Sequence, residues 1–201
     1  MKKALIIIDV QNDFASPQGT LYVKDGEKTI PFINSLMQSE SYDLIIATQD
    51  WHPKNHISFA ANHAGAKVFD LIDSKYGKQI LWPVHCVQDS EGAQLHPSLL
   101  QSKINYIIRK GVNAEIDSYS AVYDNGHENY TFLPELVSRM DTVDIAGLAT
   151  DYCVKFTVLD LKKTLTNTKV RVLLKGCAGV AADTSETAVG EMEGCGAEVI
   201  K

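Results

Sequence analysis

The sequence predicts an α/β protein built on a mostly parallel, doubly wound sheet. Short apolar runs rich in β-branched residues recur along the chain, they are continuous rather than alternating, and stretches of helical periodicity separate them. Continuous hydrophobicity belongs to strands covered on both faces, the condition of a parallel sheet. Strands alternating with helices imply right-handed crossovers, here within one domain spanning residues 1–201.

The first run is "ALIIIDV" at 4–10, and a helix is expected from Asp25 to about Glu40, where Ile30, Ile33, Leu36 and Met37 recur at helical spacing. "DLIIATQD" at 43–50 reads as the second strand, "NYIIRKG" at 105–111 as the third and "TVDIAGLAT" at 142–150 as the fourth. From Cys153 to Leu165, Val154, Val158, Leu161 and Leu165 mark a second helix. "KVRVLLKG" at 169–176 follows as a strand, and a weaker sixth run, "AEVI", lies near the end. The segment 51–104 mixes His, Pro, Gly and aromatics, and long connections in compact domains are usually functional.

With 201 residues the chain can bury roughly 70% of its unfolded surface. A composition of 45% hydrophobic and 22% charged residues sits within the globular range, and a net charge of −6 without basic blocks gives no footing for nucleic acid or an anionic membrane. The opening "MKKALIIIDV" has too short an apolar run for a signal peptide, so a cytoplasmic protein is expected. Cys86, Cys153, Cys177 and Cys195 show neither disulfide-scaffold density nor a CxxC pair and are expected to be reduced.

Ligands of such sheets gather outside the carboxyl ends of the strands, where strand order reverses. The runs end at Asp9, Asp50, Lys110 and "GLATDYCV", so these ends are expected to converge. Cys153 would open a helix, whose positive end lowers a thiol pKa, and the tight turn from Gly147 would aim backbone amides at one point, as an oxyanion hole requires. Asp9 could carry the thiol proton and return it to a leaving amine, while Lys110 stabilises the anion. Taken singly, Asp9 reads equally as a turn carboxylate, Lys110 as a surface lysine and Cys153 as a packed core thiol.

In "TQDWHPKNH" Asp50 and His52 lie two apart, so in extended chain both face one way. "LWPVHCVQD" supplies His85 from another loop, and two imidazoles with one carboxylate make a facial set for one divalent ion: zinc first, then iron or manganese. His56 would be a further ligand or orient a metal-bound water, with Ser58 a supporting donor. His63, His96 and His127 read as ordinary surface or turn histidines. Phe14, Trp82, Tyr152 and Tyr119 with Tyr123 could wall a pocket for a flat ring, and Phe14, Trp82, Tyr123 and Tyr152 are taken as its binding residues.

"IDVQNDF", "ATQDWHP", "WPVHCVQDSEGA", "RKG" followed by "DSYSAVYDN", and "GLATDYCV", in this order, resemble the isochorismatase-like cysteine hydrolases, on the branch that hydrolyses nicotinamide. The resemblance runs from Ala4 to about Ala178. It implies a three-layer α/β/α fold with a six-stranded parallel sheet, and conversion of nicotinamide to nicotinate and ammonia through a thioester in NAD salvage. It places the catalytic triad at Asp9, Lys110 and Cys153, and the metal ligands at Asp50, His52 and His85. A cis peptide would fall at Leu148–Ala149, with the amides of Ala149 and Cys153 forming the oxyanion hole. Phe14 and Trp82 would sandwich the ring. Self-association is left open.

Metal-free relatives acting on carbamoyl compounds, and isochorismatase itself, fit less well, because Asp50, His52 and His85 occur together here. A dinucleotide-binding oxidoreductase is disfavoured because "DVQNDF" lacks the glycine fingerprint after strand one. A non-catalytic binding module would be expected to break the triad.

Overall fold

A computed structural model describes residues 1–39 and 41–201. In chain order the elements are β1 (Lys3–Ile8), a single helical turn α1 (Asn12–Ala15), α2 (Gly26–Gln38), β2 (Leu44–Asp50), β3 (Leu71–Ser74), β4 (Gly77–Ile80) and β5 (Tyr106–Lys110). After these come α3 (Leu133–Val137), β6 (Thr142–Leu148), α4 (Lys155–Thr164), β7 (Lys169–Ala178), α5 (Ala182–Gly194) and β8 (Glu198–Ile200). The end expected for the first long helix, about Glu40, lies outside the described residues.

Six strands form one parallel sheet in the order β5-β2-β1-β6-β7-β8, flanked by helices. β1 is the pivot. Its neighbours β2 and β6 lie on opposite sides, so strand order reverses at its carboxyl end. The run "ALIII" is fully buried because both faces are covered. Ala4, Ile6 and Ile8 face one core with Val158, Leu161 and Met192 from α4 and α5. Leu5 and Ile7 face the other with Ile30, Ile33 and Met37 from α2. Each such isoleucine withdraws enough apolar surface to contribute about 1.5–3 kcal/mol, which makes β1 the best-anchored strand from which to hang a site.

Three features were not expected from the sequence. β3 and β4 form a separate antiparallel hairpin inside segment 51–104. The stretch after β7 contains α5, whose apolar content is too low for a strong periodic signal, with Ala188 and Met192 its buried side chains. The second long helix begins with a π-turn over Thr150–Val154, ahead of α4 proper. Gly147 sits at φ +129° where β6 meets β1, and any Cβ there would overlap the backbone of Ile8. No described helix is long and apolar enough to cross a membrane.

Away from the carboxyl ends, Asp144 of β6 is buried and held by Arg171 of β7 through Nε at 2.5 Å and Nη2 at 2.6 Å, with Tyr42 Oη donating at 2.7 Å. Burial and the hydrogen bond to Asp144 push the Tyr42 hydroxyl above its ordinary range. Replacing Arg171 with Met would strip a buried carboxylate of its bidentate partner. The expected loss is about 1.5–3 kcal/mol in denaturant unfolding, the range for hydrogen bonds to charged groups, and a loss below about 0.5 kcal/mol would contradict this account.

Candidate active site

At the end of β1 the backbone turns through Asp9 at φ +48°. Thr48, from the adjoining β2, holds both ends of this residue: its hydroxyl accepts from the Asp9 amide at 3.0 Å and donates to Asp9 Oδ1 at 2.5 Å. Asp9 is completely buried. Lys110, at the end of β5, is also buried, and its ammonium has only three protons to give. They go to Asp50 Oδ1, to the Ser118 carbonyl at 2.9 Å and to Cys153 Sγ at 3.4 Å. Asp9 Oδ2 lies 3.0 Å from the same nitrogen yet accepts no hydrogen bond from the described residues. An ion-pair distance without a bond leaves this oxygen attracted to the cation and free to take a proton.

Cys153 enters this group because β6 runs directly into the π-turn. The Tyr152 and Val154 amides both donate to the Ala149 carbonyl at 3.1 Å, and the Leu148–Ala149 peptide is cis. π-turns concentrate at functional sites, and this one carries the sulfur onto the ends of β1 and β5.

The charges here reverse one expectation. The thiol pKa is not lowered. Burial pushes it well above its ordinary value, and Asp9 and Asp50 add to the rise, outweighing Lys110. Ionising it would add a second net negative charge to a dry cluster that already holds two carboxylates and one ammonium. Burial also raises Asp9, with Lys110 opposing, whereas Asp50 is held far below its usual range because Lys110 and His52 overcome its burial. Burial works against the charge on Lys110, but the two carboxylates raise its pKa. Two carboxylates with pKa values driven apart suit different work: Asp9 can exchange a proton, and Asp50 stays an anion.

Asp50 belongs to a second group. His52 lies two residues beyond β2, and its backbone pairs with the 86–88 segment, the His52 amide donating to Cys86 O at 3.0 Å and its carbonyl accepting from Gln88 N at 2.8 Å. That pairing brings the ring of His85 within 5.0 Å of the ring of His52, centroid to centroid. One ligand atom each from Asp50, His52 and His85 lies within 4.8 Å of the others. The imidazoles face backbone carbonyls through Nδ1, His52 to Gly111 at 2.8 Å and His85 to Pro83 at 2.7 Å. Carbonyls only accept, so Nδ1 carries the proton and Nε2 is left to ligate, as histidine metal sites require. Gly111 reaches this position at φ +62°, and a Cβ there would overlap the His52 ring. The donor set fits a divalent cation.

His56 stacks 4.0 Å from His52. Its Nδ1 lies 2.7 Å from Ser58 Oγ and its Nε2 3.3 Å from Ile116 O, so both ring nitrogens already have protein partners. With His52 and the buried Asp117 it forms a further ligand-capable trio. Burial, then the charge of His52, lower both His56 and His85 to about 4. His52 goes the other way: burial would lower it, but Asp50 raises it.

A narrow cavity opens onto both groups, with Asp50, His85, Ala149 and Cys153 among its lining residues. Phe14, Trp82, Tyr119 and Tyr152 supply aromatic walls, and Leu21, Val23 and Val180 complete an apolar rim. Trp82 Nε1 donates to Tyr119 Oη at 3.2 Å, and Tyr152 packs edge-on to Trp82 at 5.0 Å. Tyr123 is a correction: it does not line the cavity but stacks on His127 at 4.9 Å. Tyr119, four residues earlier in "DSYSAVYDN", takes that place, and only the path of the loop distinguishes the two. Asp117, Leu21, Val23 and Val180 carried no sequence signal of their own. The wider groove beside β5 contains neither Cys153 nor an imidazole.

A parallel α/β sheet carrying a thiol, an ammonium and a carboxylate in contact beside a carboxylate–imidazole ligand set has the equipment of a cysteine-dependent hydrolase. The chain belongs to the isochorismatase family, whose Isochorismatase domain profile matches residues 3–201. It is 45% identical over 179 residues to a nicotinamidase of Acinetobacter baylyi, covering 88% of this chain and 81% of that one. A solved nicotinamidase pyrazinamidase of Acinetobacter baumanii superposes with a TM-score of 0.93 at 42% identity, covering 100% and 96% of the two chains. A pyrazinamidase of Pyrococcus horikoshii, solved in complex with zinc, superposes with a TM-score of 0.78 at 32% identity and covers 100% and 99%.

The raised pKa of His52 sets a pH signature. Below that pKa a cation must displace a proton from the ring, so zinc affinity is expected to fall about tenfold per pH unit on the acid side and to level off above it. Calorimetric titration of the metal-free protein in buffers of different ionisation enthalpy counts the proton. Affinity that stays constant from pH 5 to pH 8 would rule the site out.

Proposed function

We propose that this chain hydrolyses nicotinamide to nicotinate and ammonia, with Cys153 as nucleophile, and so serves pyridine nucleotide salvage. The observation that carries the reading is the meeting of Asp9, Lys110 and Cys153, of which Cys153 lines a small aromatic cavity. The nicotinamidase names of its relatives supply the substrate.

The steps balance on this chain's own atoms. Asp9 Oδ2, which accepts no hydrogen bond among the described residues, takes the proton from Cys153 Sγ as the sulfur attacks the amide carbon. The developing oxyanion is met by the amides of Ala149 and Cys153 and by the field of Lys110. The C–N bond breaks, Asp9 gives its proton to the departing nitrogen, and ammonia leaves a thioester. Water, deprotonated by Asp9, adds to the thioester, and the sulfur departs as nicotinate forms and recovers the proton. Asp50, His52 and His85 would hold one divalent ion, zinc first, with iron or manganese also suited to the donors. When bound, it supplies a Lewis acid that fixes the ring nitrogen of the substrate. Phe14, Trp82, Tyr119 and Tyr152 exclude water and orient the ring, and His56 with Ser58 braces the ligand histidines.

Two outcomes are expected. Cys153→Ala should lower ammonia release from nicotinamide by at least about a thousandfold while the circular dichroism spectrum is unchanged; activity within tenfold of the parent would exclude the nucleophile. In an amide panel, benzamide, which lacks the ring nitrogen, should fall well below nicotinamide in kcat/KM, and equal rates would remove the ring-anchoring role of the Asp50–His52–His85 group.

A further inference from the structure

Asp13 does not touch the cavity, yet it is 8% exposed and makes no ion pair among the described residues. Removing a lone carboxylate from water is costly unless hydrogen bonds replace its hydration. Here they come from two backbone amides, Cys86 to Oδ2 at 2.7 Å and Thr20 to Oδ1 at 3.3 Å. The Asp13 amide itself donates to Gly92 O at 3.0 Å, and a side chain at position 92 would overlap the Asp13 carboxylate, so the 85–94 loop is moulded onto this one group.

Cys86 is where the two ligand loops meet. Its backbone lies at φ +45°, a conformation that L side chains rarely adopt and that surrounding structure must hold in place. The peptide on its amino side belongs to His85, and its carbonyl accepts the amide of His52. A single hydrogen bond, donated by the Cys86 amide to Asp13, therefore fixes the residue that sets the direction of one candidate ligand and the backbone height of the other.

We infer that Asp13 is a positioning residue for the cation site: through the Cys86 amide it holds His85 and His52 in ligating register, although it is not itself a ligand. The inference rests on the proposed ligand set of Asp50, His52 and His85. Gln11 performs the matching task for Asp50, accepting from its amide and donating to its carbonyl, both at 2.8 Å. The segment Asp9–Phe14 thus touches the thiol group, both ligand loops and the cavity wall at once.

The test is zinc affinity of the metal-free protein, measured by competition with a chromophoric chelator, for the parent, Asp13→Ala, Asp13→Asn and the remote Arg171→Met. Asp13→Ala is expected to weaken zinc by 10- to 100-fold, the range for groups that support metal ligands. Asp13→Asn should weaken zinc by more than twofold but by less than Asp13→Ala, because its amide oxygen can still accept from Cys86 without the full negative charge that holds that amide, and it keeps the test open if the alanine variant does not fold. Arg171→Met lowers stability without reaching the ligand loops and should stay within twofold of the parent. Zinc affinity of a folded Asp13 variant within twofold of the parent overturns the inference and leaves the ligand set standing. A parent that binds no zinc at one per chain overturns both. An equal drop in Arg171→Met would assign the effect to general loosening and also overturn the inference.

Discussion

The ammonium of Lys110 is the interaction on which the site depends. It is a buried cation with neighbours from three other segments: Asp9 after β1, Asp50 closing β2 and Cys153 in the π-turn. Two carboxylates this close in a dry interior would repel strongly, and both could not remain ionised without the charge between them. Buried ion groups seldom add net stability, because desolvation offsets their attraction. What this one adds is placement: it couples the thiol half of the site to the imidazole half through a rigid point at the sheet's switch in strand order.

That placement follows from the order β5-β2-β1-β6. These four adjacent strands, with β5 at the sheet edge, end within about two residues of one another, and the four groups of the candidate site come from those ends or from the residues just beyond them. The fully buried β1 cannot shift without moving both cores, so the geometry is set by elements with the largest apolar anchorage. The aromatic walls come from connections instead: Phe14 from α1, Trp82 from the strand-poor segment and Tyr119 from the loop after β5. Division of labour between a stiff sheet and variable loops is the usual logic of doubly wound proteins.

The strands and the residues at their ends were legible in the sequence because parallel strands buried on both faces leave uninterrupted apolar runs, and those runs stop where the polar residues begin. Asp50, His52 and His85 were legible because their chemistry is distinctive. What escaped is conformational. The choice between Tyr119 and Tyr123 depends on the path of a loop with no periodic pattern, and α5 has too few apolar residues to show its inner face. Val180 reaches the cavity because its amide and that of Ala181 donate to Asp151, a contact across 29 residues that no local pattern encodes. The thiol was misjudged for a different reason. A helix terminus contributes a fraction of a unit charge, whereas burial penalises the thiolate outright, with Asp9 and Asp50 adding to the rise and Lys110 opposing it, and both burial and proximity are properties of the folded chain.

Because Cys153 is 7% exposed and burial pushes its thiol pKa up, it is a poor target for the electrophiles and oxidants that attack thiolates. Peroxide or a stray alkylating agent brings no partner for the proton transfer and meets a wall of aromatic rings. In the proposed reaction, only a flat molecule that fills the cavity would set its carbonyl against the sulfur and draw the proton onto Asp9. If Cys153 acts as proposed, the same burial that keeps its thiol from ionising would also shield it from damage between turnovers.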